Sequence, residues 1–183
     1  MPALENDRYP IGRFERLRGP LDAAARTALI DTIERTPATI RSLVERLDET
    51  ELESPYRDGG WTIRQVVHHV PDSHMNVYIR MKLAVTEDTP TIKPYDEGQW
   101  AELPDGRSAP ISMSLDLLDA LHRRWVVFLR ALPEQQFQRT FAHPELGSVA
   151  IFEALAMYAW HSRHHTAHIQ NAISSSSRFR ARV

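Results

Sequence analysis

At 183 residues, with 42% apolar and 25% charged residues and a formal charge of -2 at pH 7, the chain has the length for one substantial core and is short for two. That balance offers no broad basic surface for phosphate backbones, so nucleic acid is not expected as a partner. The absence of cysteine excludes a disulfide framework, thiolate metal ligands and a cysteine nucleophile, and it favours the cytoplasm. The opening MPALENDRYP has neither a positive n-region nor an apolar stretch, and the best apolar run, WVVFL at 125–129, is far too short to cross a bilayer. Neither export nor a membrane is expected. The reading is one domain over residues 1–183, with 1–18 as an N-terminal arm and 174–183 as a disordered tail.

Taken in chain order, four helical patterns are separated by Pro/Gly-rich punctuation, and no strand alternation stands out. The first pattern covers about 21–47, with Leu29, Ile33, Ile40, Leu43 and Leu47 on one side and Pro37 expected to kink it. After ESPYRDGG, Thr62 and Gln65 stand at capping-box spacing, so the second helix starts at Thr62 and runs to about 86, bent at Pro71. A long connection over 87–111 carries four prolines between Pro90 and Pro110 and reads as a lid over a functional site. Ser112 or Ser114 is expected to cap the third helix, whose Leu118, Leu121, Trp125, Phe128 and Leu132 step by three and four until Pro133. HPELGS reads as a turn, and a fourth helix follows over about 150–173. The fold class is all-α, a four-helix bundle with a long loop between its second and third helices.

WHSRHHTAHI, at 160–169, holds four of the nine histidines. With Ile151, Leu155, Tyr158, Ile169 and Ile173 marking the buried face of the fourth helix, His165 lies about 40° and His161 about 80° from its middle. His168 is about 100° and His164 about 140° away, positions expected to touch the ligands or solvent rather than an ion. His161 and His165 therefore point inward, four apart, a spacing that lets two imidazoles share one metal. Ser162, Arg163 and His164 lie between them, so no glutamate supplies the base of a zincin. A third ligand is needed, and on the second helix His69 faces the buried side while His68 points away. His74 also faces inward, as a satisfied core residue or a pocket wall. Asp72, three after His69, is placed either to orient that ring or to form a surface salt bridge, and Arg57, Asp58, Asp96 and Glu97 are candidate substrate contacts or solvated loop charges.

YPIGRFE, YRDGGWTIRQVVHHVPDSHMNVYIRMKLAVTEDTPTIKPYDE and YAWHSRHHTAHI together resemble the YfiT-like branch of the DinB superfamily, over about residues 9–170. The resemblance implies a four-helix bundle of long-loop topology, one divalent ion, zinc or nickel, per subunit, and a homodimer. It places the ligands at His69, of the H-x-x-D motif that includes Asp72, and at His161 and His165, the same three that the helical wheels select. Pro71 departs from the small residue expected there, which keeps His68 as a reserve ligand. Three neutral imidazoles would leave an open metal position where a bound water is activated for hydrolysis of a small-molecule substrate. The same position could instead present a low-molecular-weight thiol of the bacillithiol type for S-transfer, and a third reading is a metal- or ligand-binding bundle without turnover. His168 and Asp72 are the candidate groups behind the ligands, and no catalytic side chain of its own is named by the sequence.

Overall fold

Where apolar residues recur at three- and four-residue spacing, the computed structural model has four long helices: α1 (Ala23–Val44), α3 (Ile63–Thr86), α6 (Ile111–Ala131) and α7 (Ile151–Arg180). Three short helices join them, α2 (Glu49–Leu52), α4 (Glu97–Ala101) and α5 (Pro104–Ser108), with a 3-10 turn at Glu134–Gln138 and an antiparallel hairpin of β1 (Thr140–His143) and β2 (Gly147–Ala150). The structure describes residues 7–17 and 19–180, with side chains as far as Ser176. α1 and α3 each pack against both α6 and α7, so α1 lies across the bundle from α3, and α6 from α7. Joining those diagonal pairs takes the connections at residues 45–62 and 132–150, while the longest one, residues 87–110, joins the neighbours α3 and α6.

Two apolar clusters fill the bundle. One gathers Ile33, Val77, Met81, Trp125, Leu129 and Leu155; the other gathers Ile40, Val66, Val70, Leu115, Leu118 and Ile169. Between them α3, α6 and α7 each contribute buried histidines, so a polar layer divides the core. No described helix is long and apolar enough to cross a membrane.

The capping box forms as expected: Gln65 N–H donates to Thr62 Oγ1 at 3.2 Å, and Thr62 N–H donates to Gln65 Oε1 at 3.0 Å. α1 and α3 continue through Pro37 and Pro71, and neither proline ends its helix. Other expectations are corrected. α6 starts directly after Pro110 without a side-chain cap, so Ser112 and Ser114 lie inside its first turns, and the Ser114 hydroxyl is engaged by His68 at 2.7 Å. The 87–110 segment, read as a lid, is not irregular throughout: it forms α4 and α5 and is fastened to α3, where Gln65 Nε2 donates to the Ala101 carbonyl and to Glu102 Oε1, both at 2.9 Å. Helices of five residues are too short to leave an apolar period in the sequence. The HPELGS turn is a hairpin in which only Phe141 and Val149 are buried, again too few for visible alternation. Gly147 takes a φ of +71° at its bend. The tail expected to be disordered from 174 instead continues α7 to Arg180, since extending an existing helix costs far less than nucleating one. Residues 181–183 lie outside the described residues.

The described part of the arm runs along α7. Arg16 pairs with the largely buried Glu153, its second nitrogen donating to Oε2 at 3.0 Å, and Trp160 Nε1 donates to the Gly12 carbonyl at 3.3 Å.

Candidate metal centre

The polar layer is assembled by three helices. α3 supplies His68, His69 and His74, α6 supplies His122, and α7 supplies His161, His164, His165 and His168. Nε2 of His69 stands 3.3 Å from Nε2 of His161. One ring nitrogen each from His69, His161 and His165 lies within 4.8 Å of the other two, the only such group of three among the described residues. His69 and His165 are buried, and His161 keeps part of its edge open.

Two hydrogen-bond chains fix where the protons sit. Burial holds His122 at about 4 and pushes His74 and His161 well below the usual histidine range, so all three rings are neutral near pH 7. Nδ1 of His122 lies 2.6 Å from the Ile33 carbonyl, which can only accept, so that nitrogen carries the proton and Nε2 keeps its lone pair. His122 Nε2 then accepts from His74 Nδ1 at 2.7 Å, and His74 Nε2 accepts from His161 Nδ1 at 3.0 Å. The chain ends with a lone pair on His161 Nε2. A second chain works in the same way from the other side: His168 Nε2 donates to the Arg8 carbonyl at 3.3 Å, and His168 Nδ1, 3.4 Å from His165 Nδ1, accepts from it. Burial holds His168 at about 4 and His165 well below its usual range, so His165 Nε2 is likewise left with a lone pair.

This donor set fits a divalent ion. Two imidazole nitrogens bound tetrahedrally at about 2.0–2.1 Å would stand about 3.3 Å apart, which is the observed separation of 3.3 Å between His69 and His161. Both α7 rings have their Nδ1–H groups occupied, the arrangement that orients a metal-binding imidazole. All three rings are held neutral, as ligation requires; for His69 burial sets a value of about 4.

The other expected residues fall elsewhere. The Asp72 carboxyl makes no hydrogen bond to His69; burial, with the charge of Asp105, raises it to about 6. His68, the reserve ligand expected to point away from the core, is buried and tied to Ser114 and to the Ala109 carbonyl at 3.1 Å, which removes it from the three-ring group. His164, expected either behind the ligands or near solvent, is buried beneath Trp160 at 4.4 Å and Tyr9 at 6.0 Å, because the arm covers that face of α7. Arg57, Asp96 and Glu97 line an outer opening of about 750 Å³, whereas Asp58 does not line it. It shares a wall with an inner cavity of about 360 Å³ that contains the three rings.

Several participants escaped the sequence reading. His122 lies on the buried face of α6 between Leu118 and Trp125, so the wheel applied to the second and fourth helices would have found it there too. Tyr56, stacked on His168 at 3.9 Å, and Trp61, 4.7 Å from His69, come from the loop before α3, which has no period. That loop is shaped by Gly60, where a Cβ would meet Arg57 Cγ at 2.8 Å.

Comparison with known proteins agrees with this layout. Residues 32–169 match the DinB superfamily. A Bacillus cereus (strain B4264) protein named as a candidate metal-dependent hydrolase is 52% identical over 162 residues, covering 88% of this chain and 92% of its own. A Bacillus mycoides (strain KBAB4) protein of the same name is 52% identical over 166 residues, 91% of this chain and 95% of its own. The solved structure of YfiT from Bacillus subtilis, described as a candidate metal-dependent hydrolase of unusual four-helix bundle topology, superposes with a TM-score of 0.91 at 46% identity, covering 94% of this chain and 98% of that one. A further solved four-helix bundle protein, TT2238, shares the fold with a TM-score of 0.55 at 21% identity, over 79% of this chain and 98% of its own.

Proposed function

This chain belongs to the DinB superfamily, and from that premise we propose that it is a metal-dependent hydrolase of small molecules in which His69, His161 and His165 hold one divalent ion, zinc or nickel. The observation that carries the reading is the 3.3 Å approach of two Nε2 atoms, one of which is left as a bare lone pair by the chain through His74 and His122 to the Ile33 carbonyl. When bound, such an ion keeps its charge and an open position, and supplies Lewis acidity toward a water or a carbonyl oxygen. The names of the Bacillus relatives support the same reaction class.

The chain's own residues do the rest. His74 and His168 keep the protons of His161 and His165 on Nδ1 and hold both rings toward one centre. Tyr56 and Trp61 shield His168 and His69, and the arm covers His164, so the rings meet solvent through the inner cavity. Along that cavity Ser73 and Tyr158 present hydroxyls 3.3 Å apart, a polar wall for a bound substrate.

The test is elemental analysis of tag-free protein combined with an ester, amide and phosphoester panel. One equivalent of metal and a hydrolytic activity lost in His165→Ala are expected. Conjugation of monochlorobimane to a small cellular thiol without hydrolysis of any panel member would replace hydrolysis by thiol transfer. No metal uptake would end both.

A further inference from the structure

Arg80 is 9% exposed and lies on α3, in the wall of the same inner cavity as the three rings. Its guanidinium has five N–H donors, and one partner accounts for them: Nη2 donates to the Lys93 carbonyl at 3.1 Å. Among the described residues no carboxylate comes within ion-pair distance of it. Arg64, the comparably buried arginine at 4% exposure, shows what a structural arginine of this helix looks like. It is gripped by Glu49 and by Glu53 at 2.7 Å, and it donates to the Ala109 carbonyl at 3.1 Å. A buried cation without a counter-ion is a liability that a fold tolerates where a ligand completes it. The planar fork of arginine suits a two-oxygen anion better than any other side chain does.

We propose that Arg80 is the anion-binding group of this site, and that the substrate carries an oxyanion, a carboxylate or a phosphate, at the end remote from the histidines. This deepens the metal-dependent reading, on which the position of the reacting end rests. Arg80 comes eleven residues after His69, a rise of about 16 Å along the helix, and helical side chains lean toward the N-terminus, which brings the guanidinium back toward the rings. The hydroxyls of Ser73 and Tyr158 line the interval. Glu97 and Glu145 share the same wall, so the cavity has no general positive field and the anion is read at a single point. Its volume of about 360 Å³ is that of a small-molecule pocket.

The experiment uses the zinc-loaded full chain and a series of alkyl hydroxamates with two to five methylenes, each ending in a carboxylate, a phosphonate or a neutral carboxamide, with affinities measured by calorimetry. One anionic tail should bind at least tenfold tighter than its carboxamide counterpart. That preference should vanish in Arg80→Gln and return in part in Arg80→Lys. Which anionic tail wins tells a carboxylic acid from a phosphorylated substrate. Equal affinity of charged and neutral tails in the parent protein, or a preference unchanged in Arg80→Gln, would overturn the proposal. If Arg80→Gln does not fold, an unchanged preference in Arg80→Lys does so instead. Thermal melting supplies a second readout: a ligand-binding arginine predicts that Arg80→Gln melts no lower than the parent, and a purely structural one predicts a clear drop. Failure of the metal reading looks different, because the neutral hydroxamate would then bind metal-free and zinc-loaded protein equally well, while glutarate or inorganic phosphate added to metal-free protein would still report on Arg80.

Discussion

The apolar halves of the core and the histidine layer between them are built by the same helices, yet they are specified in different ways. In the halves, Leu129, Met81 and Leu118 need only fill volume, and a neighbour of similar size would serve. In the layer the chained rings each depend on the proton position of the next, from the Ile33 carbonyl through His122 and His74 to His161. Loss of a methyl in one half stays local, whereas loss of one ring changes the donor pattern at the far end of the chain. Packing provides stability, and the layer gives up some of it to hold the Nε2 lone pairs of His161 and His165 ready.

The sharpest way to break this contrast is to damage each region and read both stability and metal. Leu129→Ala, in the apolar half, should cost about 2–5 kcal/mol of stability in urea unfolding and leave the metal content of the folded fraction unchanged. His69→Ala, His161→Ala and His165→Ala should do the opposite: each loses the ion by elemental analysis and still folds, because both apolar clusters remain. His164→Ala should keep its metal, since its buried Nδ1 has no hydrogen-bond partner and its ring is outside the three-nitrogen group. Equal metal content in all four variants would dissolve the distinction.

Removing a ring that does not touch the ion should have an intermediate effect. His122→Phe fills the space but offers His74 no acceptor, so a metal affinity about 10–100-fold lower is expected by chelator competition, with the fold intact by circular dichroism. An unchanged affinity would make the chain to Ile33 mere packing. Acid should also separate the regions. His122 titrates at about 4 in the folded chain against the usual 6.5, so between those values the unfolded chain takes up a proton that the folded one refuses. Stability of the metal-free protein should therefore fall as the pH drops from 6.5 to 4 and stay flat just above 6.5. Chemical denaturation across that range checks it, and His122→Phe should flatten part of the slope. The smallest effect is expected at the docked connection: His68→Ala should cost about 1 kcal/mol, loosen residues 97–108 to hydrogen exchange, and keep the metal.

What the sequence makes legible follows the same division. The long helices repeat an apolar face, so their existence and the start at Thr62 can be read directly, as can the inward direction of His161, His165 and His69. α4, α5 and the hairpin are too short to carry a period and are held by polar contacts with α3 or by pairing between strands, which no periodicity reports. The place of His168 behind His165 is legible too, but the cover over His164 and His168 is not, because it comes from the arm and from Tyr56, residues distant in sequence. The Asp72 carboxyl sits one turn from His69 without bonding to it, and spacing alone could not show that. Neutral histidines do the orienting instead, and their roles depend on carbonyls contributed by α1 and by the arm.

The central claim is that two Nε2 lone pairs set by distant carbonyls, on His161 and His165, converge with Nε2 of His69 on one cation. An anomalous difference map from crystals loaded with one equivalent of zinc, recorded at the zinc edge, tests it most directly. The account predicts a single peak at about 2.0–2.1 Å from Nε2 of His69, His161 and His165, with the His161–His74–His122 chain unchanged behind it. A peak bound through Nδ1 of His161 or His165, or one centred on His68 or His164, would contradict it.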